Sequence, residues 1–153
     1  PRNSVFIVIE NAVLVDIQPL WQEHYDEIAW RKEQIKLEVD FDKYRKLERG
    51  GVLRIYTARA TSELVGYAFF ILSQNLHYKS LKQAQNDICY VCPSRRGTSI
   101  GKHLLRDFSE TELKAEGVKV INLHIKTSHN WQKLAERWGY EHTEVNMQKW
   151  IGD

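Results

Sequence analysis

The feature that most constrains the fold is a strand, helix, strand unit in the second half of the chain. The segment NDICYVC (86–92) is typical of a strand, and Pro93 ends it. Residues 99–116 then follow a helical periodicity that stops at Gly117. The next segment, VKVINLHI (118–125), is apolar on both faces, which predicts an interior strand covered on both sides. The chain is therefore expected to build a sheet with a helix packed against it.

The flanking segments add further strands and helices, because their apolar periodicity switches between two and about 3.6 residues. SVFIVI and AVLVDI near the start predict a short strand or hairpin. The other predicted elements are helices over 19–32, 40–49 and 129–140, an antiparallel hairpin of strands 52–60 and 64–73, and a final strand over 143–151. This order predicts an α/β (α+β) fold.

Length and composition exclude several classes of protein. A chain of 153 residues, 42% of them apolar, suits one domain over residues 1–153. With 22 Lys and Arg against 20 Asp and Glu, and no basic block, a nucleic-acid partner is not expected. The longest apolar run, YAFFIL, is far short of the ~20 residues of a membrane helix, and no signal-peptide pattern begins the sequence. We expect a cytoplasmic protein with no membrane partner.

The stretch CYVCPSRRGTSIGKHLL (89–105) invites two familiar interpretations, and its spacing argues against both. A Walker-type phosphate loop needs G-x-x-x-x-G-K-[ST], whereas GTSIGKH is one residue short and ends in His103. A structural zinc site needs four ligands, but Cys89 and Cys92 supply two and point to opposite faces of a strand. We therefore predict no metal and two structural thiols.

What the stretch favours is an anion cradle between a strand and a helix. Such a turn can leave successive backbone N–H groups aimed at one point, where the helix dipole adds positive potential. Gly97 would supply left-handed backbone geometry, Ser99 and Gly101 close approach, and Arg96 a fixed charge. A glycine-rich turn that is tight for structural reasons alone remains the alternative.

The same residues resemble a known signature. VCPSRRGTSIGKHLL is similar to the motif of the GNAT superfamily of acyl-CoA-dependent N-acyltransferases, V-x-P-x-x-R-G-x-G-x-G-x-x-L-L, with Ser99 in place of the first core glycine. The element order resembles this fold across essentially the whole chain. HYKSLKQAQND and LHIK add a looser similarity to bacterial and phage members of undefined substrate. The resemblance implies a central mixed sheet flanked by about four helices.

It also implies acetyl-CoA as the acyl donor. The pyrophosphate would rest on the backbone of the turn, and the pantetheine arm would pair with the preceding strand as an added strand. The acceptor would enter from the opposite side. The residues implied in binding acetyl-CoA are Tyr90, Val91, Cys92, Arg96, Gly97, Thr98, Ser99, Ile100, Gly101 and Lys102.

Acetyl transfer to a primary amine needs a base, because an amine of pKa near ~10.4 is mostly protonated at neutral pH. Alignment with the family places His124 in the slot of its usual glutamate, with Asp87 as the second polar group near the thioester. The family's usual tyrosine acid falls on Ala135 or Glu136, which leaves Tyr90 as the substitute.

Three functions stay open from the sequence. The first is an N-acetyltransferase that acts on a primary amine of a small molecule or protein. The second is a catalytically degenerate acyl-CoA-binding module. The third is an aminoglycoside-type resistance acetyltransferase, for which Glu23, Asp26 and Glu27 are the hint of an acidic acceptor pocket. The acceptor, the acyl length and the oligomeric state, a homodimer included, are not determined by the sequence.

Overall fold

The computed structural model describes residues 7–28 and 34–153. Residues 4–6 of the first predicted strand and residues 29–32 of the first predicted helix therefore lie outside the described residues. The described chain forms a five-stranded sheet in the order β1-β2-β3-β4-β5. Its strands are β1 (Ile7–Ala12), β2 (Leu53–Ala60), β3 (Glu63–Gln74), β4 (Lys82–Val91) and β5 (Val120–Asn122).

Helices cover both faces of this sheet. The helices are α1 (Gln18–Ile28), α2 (Phe41–Arg49), α3 (Ile100–Lys102), α4 (Phe108–Ala115) and α5 (Gln132–Arg137). A π-helical turn over His103–Asp107 joins α3 to α4, so that the helix predicted over 99–116 is one continuous rod with a local irregularity. Asp40 caps α2, as predicted, by accepting a hydrogen bond of 2.8 Å from the backbone N–H of Lys43.

The sheet is mixed, which confirms the predicted fold class. β1 to β4 pair antiparallel, and β5 pairs parallel to β4 after the α3 to α4 crossover. One face carries a core that includes Phe70, Leu104 and Leu113 beneath α3 and α4. The opposite face carries a second core that includes Tyr67, Phe69 and Tyr90 beneath α1 and α2. The two faces therefore present different helices to any ligand at the end of β4.

Two predicted strands differ from the structure. Near the start, where a short strand or a hairpin was expected, there is the short strand β1, because Leu14–Ile17 form a 3₁₀ turn instead of the second half of a hairpin. The strand predicted over 118–125 is only Val120–Asn122 and lies at the edge of the sheet, not in its interior. Residues 143–151 form no strand and are exposed. Apolar residues predict strands locally, whereas pairing depends on a neighbouring strand that local sequence does not specify.

None of the helices in the described part of the chain is long and apolar enough to cross a membrane.

A buried histidine, His24 on α1, packs within the second core. It is 2% exposed, and its Nδ1 forms a hydrogen bond with the hydroxyl of Tyr67 on β3. Burial lowers the pKa of His24 from 6.5 to about 4, with smaller contributions from neighbouring charges. The imidazole is therefore neutral in the folded protein at neutral pH.

We expect the free energy of unfolding to fall as the pH drops from about 6.5 to about 4. The reason is that the unfolded chain takes up a proton at His24 in this range while the folded chain does not. For this buried group the full shift corresponds to roughly 3 kcal/mol. Urea unfolding at several pH values measures it, and a His24→Gln variant, which keeps a hydrogen-bonding group but does not titrate, should show a flatter dependence. An equal dependence in both proteins would contradict the expectation.

Candidate active site

The ladder between β4 and β5 stops in the middle of β4. Pairing ends at Gln85 with Asn122, and beyond these residues the two strands separate. On the other edge, the β3–β4 register passes from Phe70 opposite Asn86 to Phe69 opposite Ile88, so Asp87 is an extra residue, a β-bulge. On the β5 side, the edge of β4 from Asn86 to Val91 therefore has no paired strand in the described part of the chain.

The bulge aims Asp87 at the face covered by α1 and α2. Its carboxylate accepts a hydrogen bond from the hydroxyl of Tyr44 on α2. Tyr44 is partly buried, its ring lies edge-on to Phe69 at 5.5 Å, and burial together with Asp87 raises the pKa of its phenol. The phenol therefore stays protonated and holds an exposed carboxylate in a fixed place.

The other candidate base, His124, lies two residues beyond the end of β5 and is exposed. Its Nε2 forms a hydrogen bond with the side-chain nitrogen of Gln85 on β4. Gln85 lies at the last pair of the β4–β5 ladder, and Asp87 lies two residues further along β4, at the bulge. His124 and Asp87 are thus fixed by different partners, Gln85 and Tyr44, on the two sides of the point where the strands separate.

At the end of β4 the chain makes the turn that the sequence singled out. Pro93–Arg95 form a 3₁₀ turn, and Gly97 has the left-handed φ of +76° that was predicted for it. Thr98 stabilises the turn, because its hydroxyl donates a hydrogen bond of 2.6 Å to the backbone carbonyl of Arg95. α3 starts directly afterwards, at Ile100.

The turn has the properties of an anion cradle. Within the described chain, the backbone N–H groups of Ser99, Gly101 and Lys102 donate to no protein acceptor. A Cβ placed on Gly97 or Gly101 would meet no protein atom within 4 Å, so the smallness of these residues is not explained by protein packing. Open space, free donors and a helix N-terminus fit a pyrophosphate that approaches the backbone closely.

Tyr90, Val91 and Cys92 form the end of the strand that leads into the turn. The backbone N–H of Cys92 donates to the carbonyl of Val65 on β3 at 2.8 Å, so one edge of this segment pairs with β3. Its other edge faces the gap between β4 and β5. A Cβ on Gly66 would lie 2.9 Å from the carbonyl oxygen of Tyr90, so the close approach of β3 to β4 at this point requires a glycine. This segment can therefore accept an extended ligand as an additional strand.

The two cysteines are free thiols in this neighbourhood. Burial raises the pKa of Cys89 to about 12, which makes its thiolate inaccessible at neutral pH. No cluster of three or more potential metal ligands occurs among residues 7–28 and 34–153.

Arg96, which the sequence predicts to supply a fixed charge to the cradle, makes three contacts within the protein. Its Nε donates to the carbonyl of Val91 at 2.9 Å, and its Nη2 pairs with Glu27 on α1. The guanidinium also lies over the ring of Tyr90, 5.6 Å from its centroid. Neither the pairing of Glu27 with Arg96 nor the place of His24 in the site could be predicted from the sequence. The α1 segment shows only a helical pattern of apolar residues, and no local pattern predicts contacts between residues more than 60 positions apart.

Comparison with known proteins identifies the family. The family model described as "Acetyltransferase (GNAT) family" matches residues 15–140. The chain belongs to the GNAT acetyltransferase family. Family members transfer acetyl groups and use acetyl-CoA. No curated protein sequence matches the chain.

Solved structures agree with this GNAT fold. Glucosamine-6-phosphate N-acetyltransferase from Arabidopsis thaliana superposes with a TM-score of 0.74 at 16% identity, covering 96% of this chain and 99% of that one. An aminoglycoside acetyltransferase from an uncultured soil metagenomic sample, in complex with sisomicin, gives 0.73 at 13% identity over 96% and 97%. A predicted acetyltransferase with acetyl-CoA from Clostridium acetobutylicum gives 0.70 at 17% over 95% and 97%. At these identities the likeness shows the fold alone.

The two positions that align with the tyrosine acid of GNAT proteins, 135 and 136, carry no phenol in this chain. Ala135 is 3% exposed within α5, and Glu136 accepts a hydrogen bond from Gln132 on the same helix. Tyr90, the substitute, is 4% exposed and its hydroxyl donates to Glu23 on α1 at 3.4 Å. Burial and the nearby Glu23 raise the pKa of Tyr90.

We expect Gly101→Val to weaken acetyl-CoA binding at least tenfold, a change of about 1.4 kcal/mol, because the new side chain would occupy the open space of the cradle. The protein should still fold, since no protein atom lies there. Titration calorimetry measures the affinity and thermal unfolding checks the fold. Lys102→Ala is the control and should bind with less loss than Gly101→Val, because the cradle uses backbone donors. Unchanged affinity in Gly101→Val would mean that the pyrophosphate binds elsewhere.

Proposed function

We propose that this GNAT protein is an acyl-CoA-dependent N-acetyltransferase that transfers the acetyl group of acetyl-CoA directly to a primary amine of a small molecule or protein. The observation that carries the proposal is the continuity of three features along one path. The separated strands begin at the Asp87 bulge, the open edge of β4 continues to Val91, and the backbone cradle follows at residues 96–102.

This path matches the parts of acetyl-CoA in order. The cradle, residues Arg96 to Lys102, would hold the pyrophosphate through the backbone N–H groups that have no acceptor in the described chain, those of Ser99, Gly101 and Lys102 among them. Tyr90 to Cys92 would pair with the pantetheine amides. The thioester would then lie where β4 and β5 separate, beside the bulge. Together the residues bind and orient the acyl group, which is a requirement for direct transfer.

In the transfer itself, the amine nitrogen forms a bond to the acetyl carbonyl carbon and the bond from that carbon to sulfur breaks. The protonated amine gives up two protons, one that frees its lone pair and one after the new bond forms. We assign the uptake of the first to His124, alone or through a water and assisted by Asp87, and the second passes to solvent or to the sulfur. The leaving sulfur either departs as a thiolate or receives one proton. The products are the N-acetyl amide and CoA, and no further reactant is needed.

Two phenols, Tyr90 and Tyr44, are candidates for the group that protonates the sulfur. Tyr90 lies at the segment assigned to the pantetheine arm, but its hydroxyl faces Glu23. Tyr44 lies on α2, and its hydroxyl donates a hydrogen bond to Asp87 at the bulge. A thiol of moderate pKa can also leave without an acid.

An aminoglycoside acceptor receives less support from the acidic residues of α1. Glu27 is paired with Arg96 and Glu23 accepts from Tyr90, while Asp26 accepts from Gln22 on the same helix. These carboxylates are thus engaged within the protein, which weakens the hint of a pocket for a polycation. The aminoglycoside acetyltransferases among the similar structures share the fold.

We expect His124→Ala to lower kcat by ~10²–10⁴-fold, the usual effect of removing a general base, while the affinity for acetyl-CoA changes little. Asp87→Asn should lose less, because Asp87 assists. Turnover is measured as thiol release from acetyl-CoA against a panel of amine classes, and calorimetry gives the affinity. His77→Ala, which removes an exposed imidazole from the β3–β4 connection, is the matched control.

A greater loss in Asp87→Asn than in His124→Ala would transfer the role of base to the carboxylate. Parent rates in both variants on a turned-over amine would show that the proton leaves by another route. Tight binding of acetyl-CoA without turnover on any amine class would instead favour the degenerate acyl-CoA-binding module.

The two phenols can be separated by leaving-group chemistry. If Tyr90 protonates the sulfur, Tyr90→Phe should lower the rate with acetyl-CoA, and an acetyl thioester of a more acidic thiol should restore it because that thiolate leaves unaided. Tyr44→Phe should show the same pattern if Tyr44 is the acid. Equal losses with both donors in a variant would indicate a role in positioning and would exclude that phenol as the acid.

A further inference from the structure

The side chain of Arg96 joins three parts of the fold. It leaves the turn, donates through Nε to the last carbonyl of β4, on Val91, and pairs through Nη2 with Glu27 on α1. The planar guanidinium allows both contacts at once, because its donors point in fixed directions. The turn after β4 is therefore attached both to its own strand and to the helix on the α1 and α2 face.

This attachment continues inward through stacked rings. Arg96 lies over Tyr90, and Tyr90 stacks on His24 of α1 with centroids 4.8 Å apart and an angle of 24° between the rings. His24 in turn bonds Tyr67 of β3, and the hydroxyl of Tyr90 reaches Glu23. Three residues of α1, Glu23, His24 and Glu27, which lie within about one turn of the helix, thus contact the strand end and the cradle.

The pairing also decides what the charge of Arg96 does. A cation bonded to Glu27 adds little net positive potential to the cradle, and the exposed fractions of the two side chains, 42% and 43%, leave the pair in contact with solvent. Its geometry orients the turn, whereas its charge is compensated. A swing of Arg96 toward a phosphate would break contacts with Val91, Glu27 and Tyr90 together.

We propose that Arg96 is a positioning residue that clamps the phosphate-binding turn to α1 through Glu27, so that acetyl-CoA binding and the order of α1 are coupled. The inference rests on the proposed function for the position of the pyrophosphate. Since α1 lies on the face from which the acceptor is expected, binding of acetyl-CoA would stiffen one wall of the acceptor site before the amine arrives.

The direction in which one substitution changes the acetyl-CoA affinity distinguishes a clamping role of Arg96 from direct phosphate binding by Arg96. Glu27→Gln weakens the clamp, so acetyl-CoA affinity should fall about 2- to 5-fold, in the range expected for a partly exposed ion pair. If Arg96 instead bound phosphate directly, removing Glu27 would release the guanidinium and raise the affinity. Asp26→Asn removes the same charge one residue away and is the matched control, with an expected change of less than about twofold.

A double-mutant cycle completes the test. Arg96→Ala should weaken acetyl-CoA binding, Arg96→Lys should restore little because an ammonium cannot form the same fork, and Glu27→Gln added to Arg96→Ala should cause no further loss. Arg95→Ala, the neighbouring arginine, is the control for the turn. Hydrogen exchange should show acetyl-CoA protecting the amides of α1 in the parent and not in Glu27→Gln, a readout that a loss of overall stability would not imitate.

The outcomes are separable from those of the proposed function. A parent protein that does not bind acetyl-CoA would overturn the proposed function. A parent that binds, together with Glu27→Gln of equal or higher affinity, or with additive losses in the double variant, would overturn the clamp and leave the transferase proposal standing.

Discussion

The structure depends on an interruption of backbone pairing. β5 is held to β4 at only three residue pairs, Gln83 to Gln85, and the next residues of β4 form a bulge. A continuous ladder would satisfy the backbone of β4 on both edges and leave no room between the strands. The bulge turns Asp87 toward α2, and the loss of pairing opens the edge that runs to the cradle. The cost is an edge of β4 without a partner strand. The carbonyl of Val91 accepts a hydrogen bond from Arg96, and a strand-like ligand could satisfy the other backbone groups of this edge.

The two faces of the sheet differ, so the gap between β4 and β5 has a different environment on each side. The face beneath α3 and α4 is a closed apolar core, in which Phe70, Leu104 and Leu113 are 0% exposed. The other face combines an apolar core with polar contacts that reach the end of β4, such as Tyr44 with Asp87 and His24 with Tyr67. The exposed Asp87 and its partly buried partner Tyr44 lie at the gap, where polar groups can hold and move protons, while a closed apolar core cannot.

Much of the fold and part of the site could be predicted, because their signals are local. Pro93, Gly97 and Gly117 mark the ends of elements by backbone geometry that each residue specifies by itself, and Asp40 is a cap by the same logic. The extent of β5 and the strand over 143–151 could not be predicted correctly, since an edge strand needs a partner elsewhere in the chain. The pairs Tyr44 with Asp87 and Glu27 with Arg96 join distant segments, so no spacing in the sequence reveals them.

The role assigned to Arg96 shows why a matching motif does not fix what a side chain does. The motif identifies a turn whose backbone suits an anion, and backbone donors with a helix dipole act without any net charge. An arginine at this turn could add charge or rigidity, and the contacts with Val91 and Glu27 favour rigidity. Because such a site draws its attraction from oriented dipoles at short range, its strength depends on how firmly the turn is held. A clamp on α1 is then a way of tuning affinity that leaves the cradle residues unchanged.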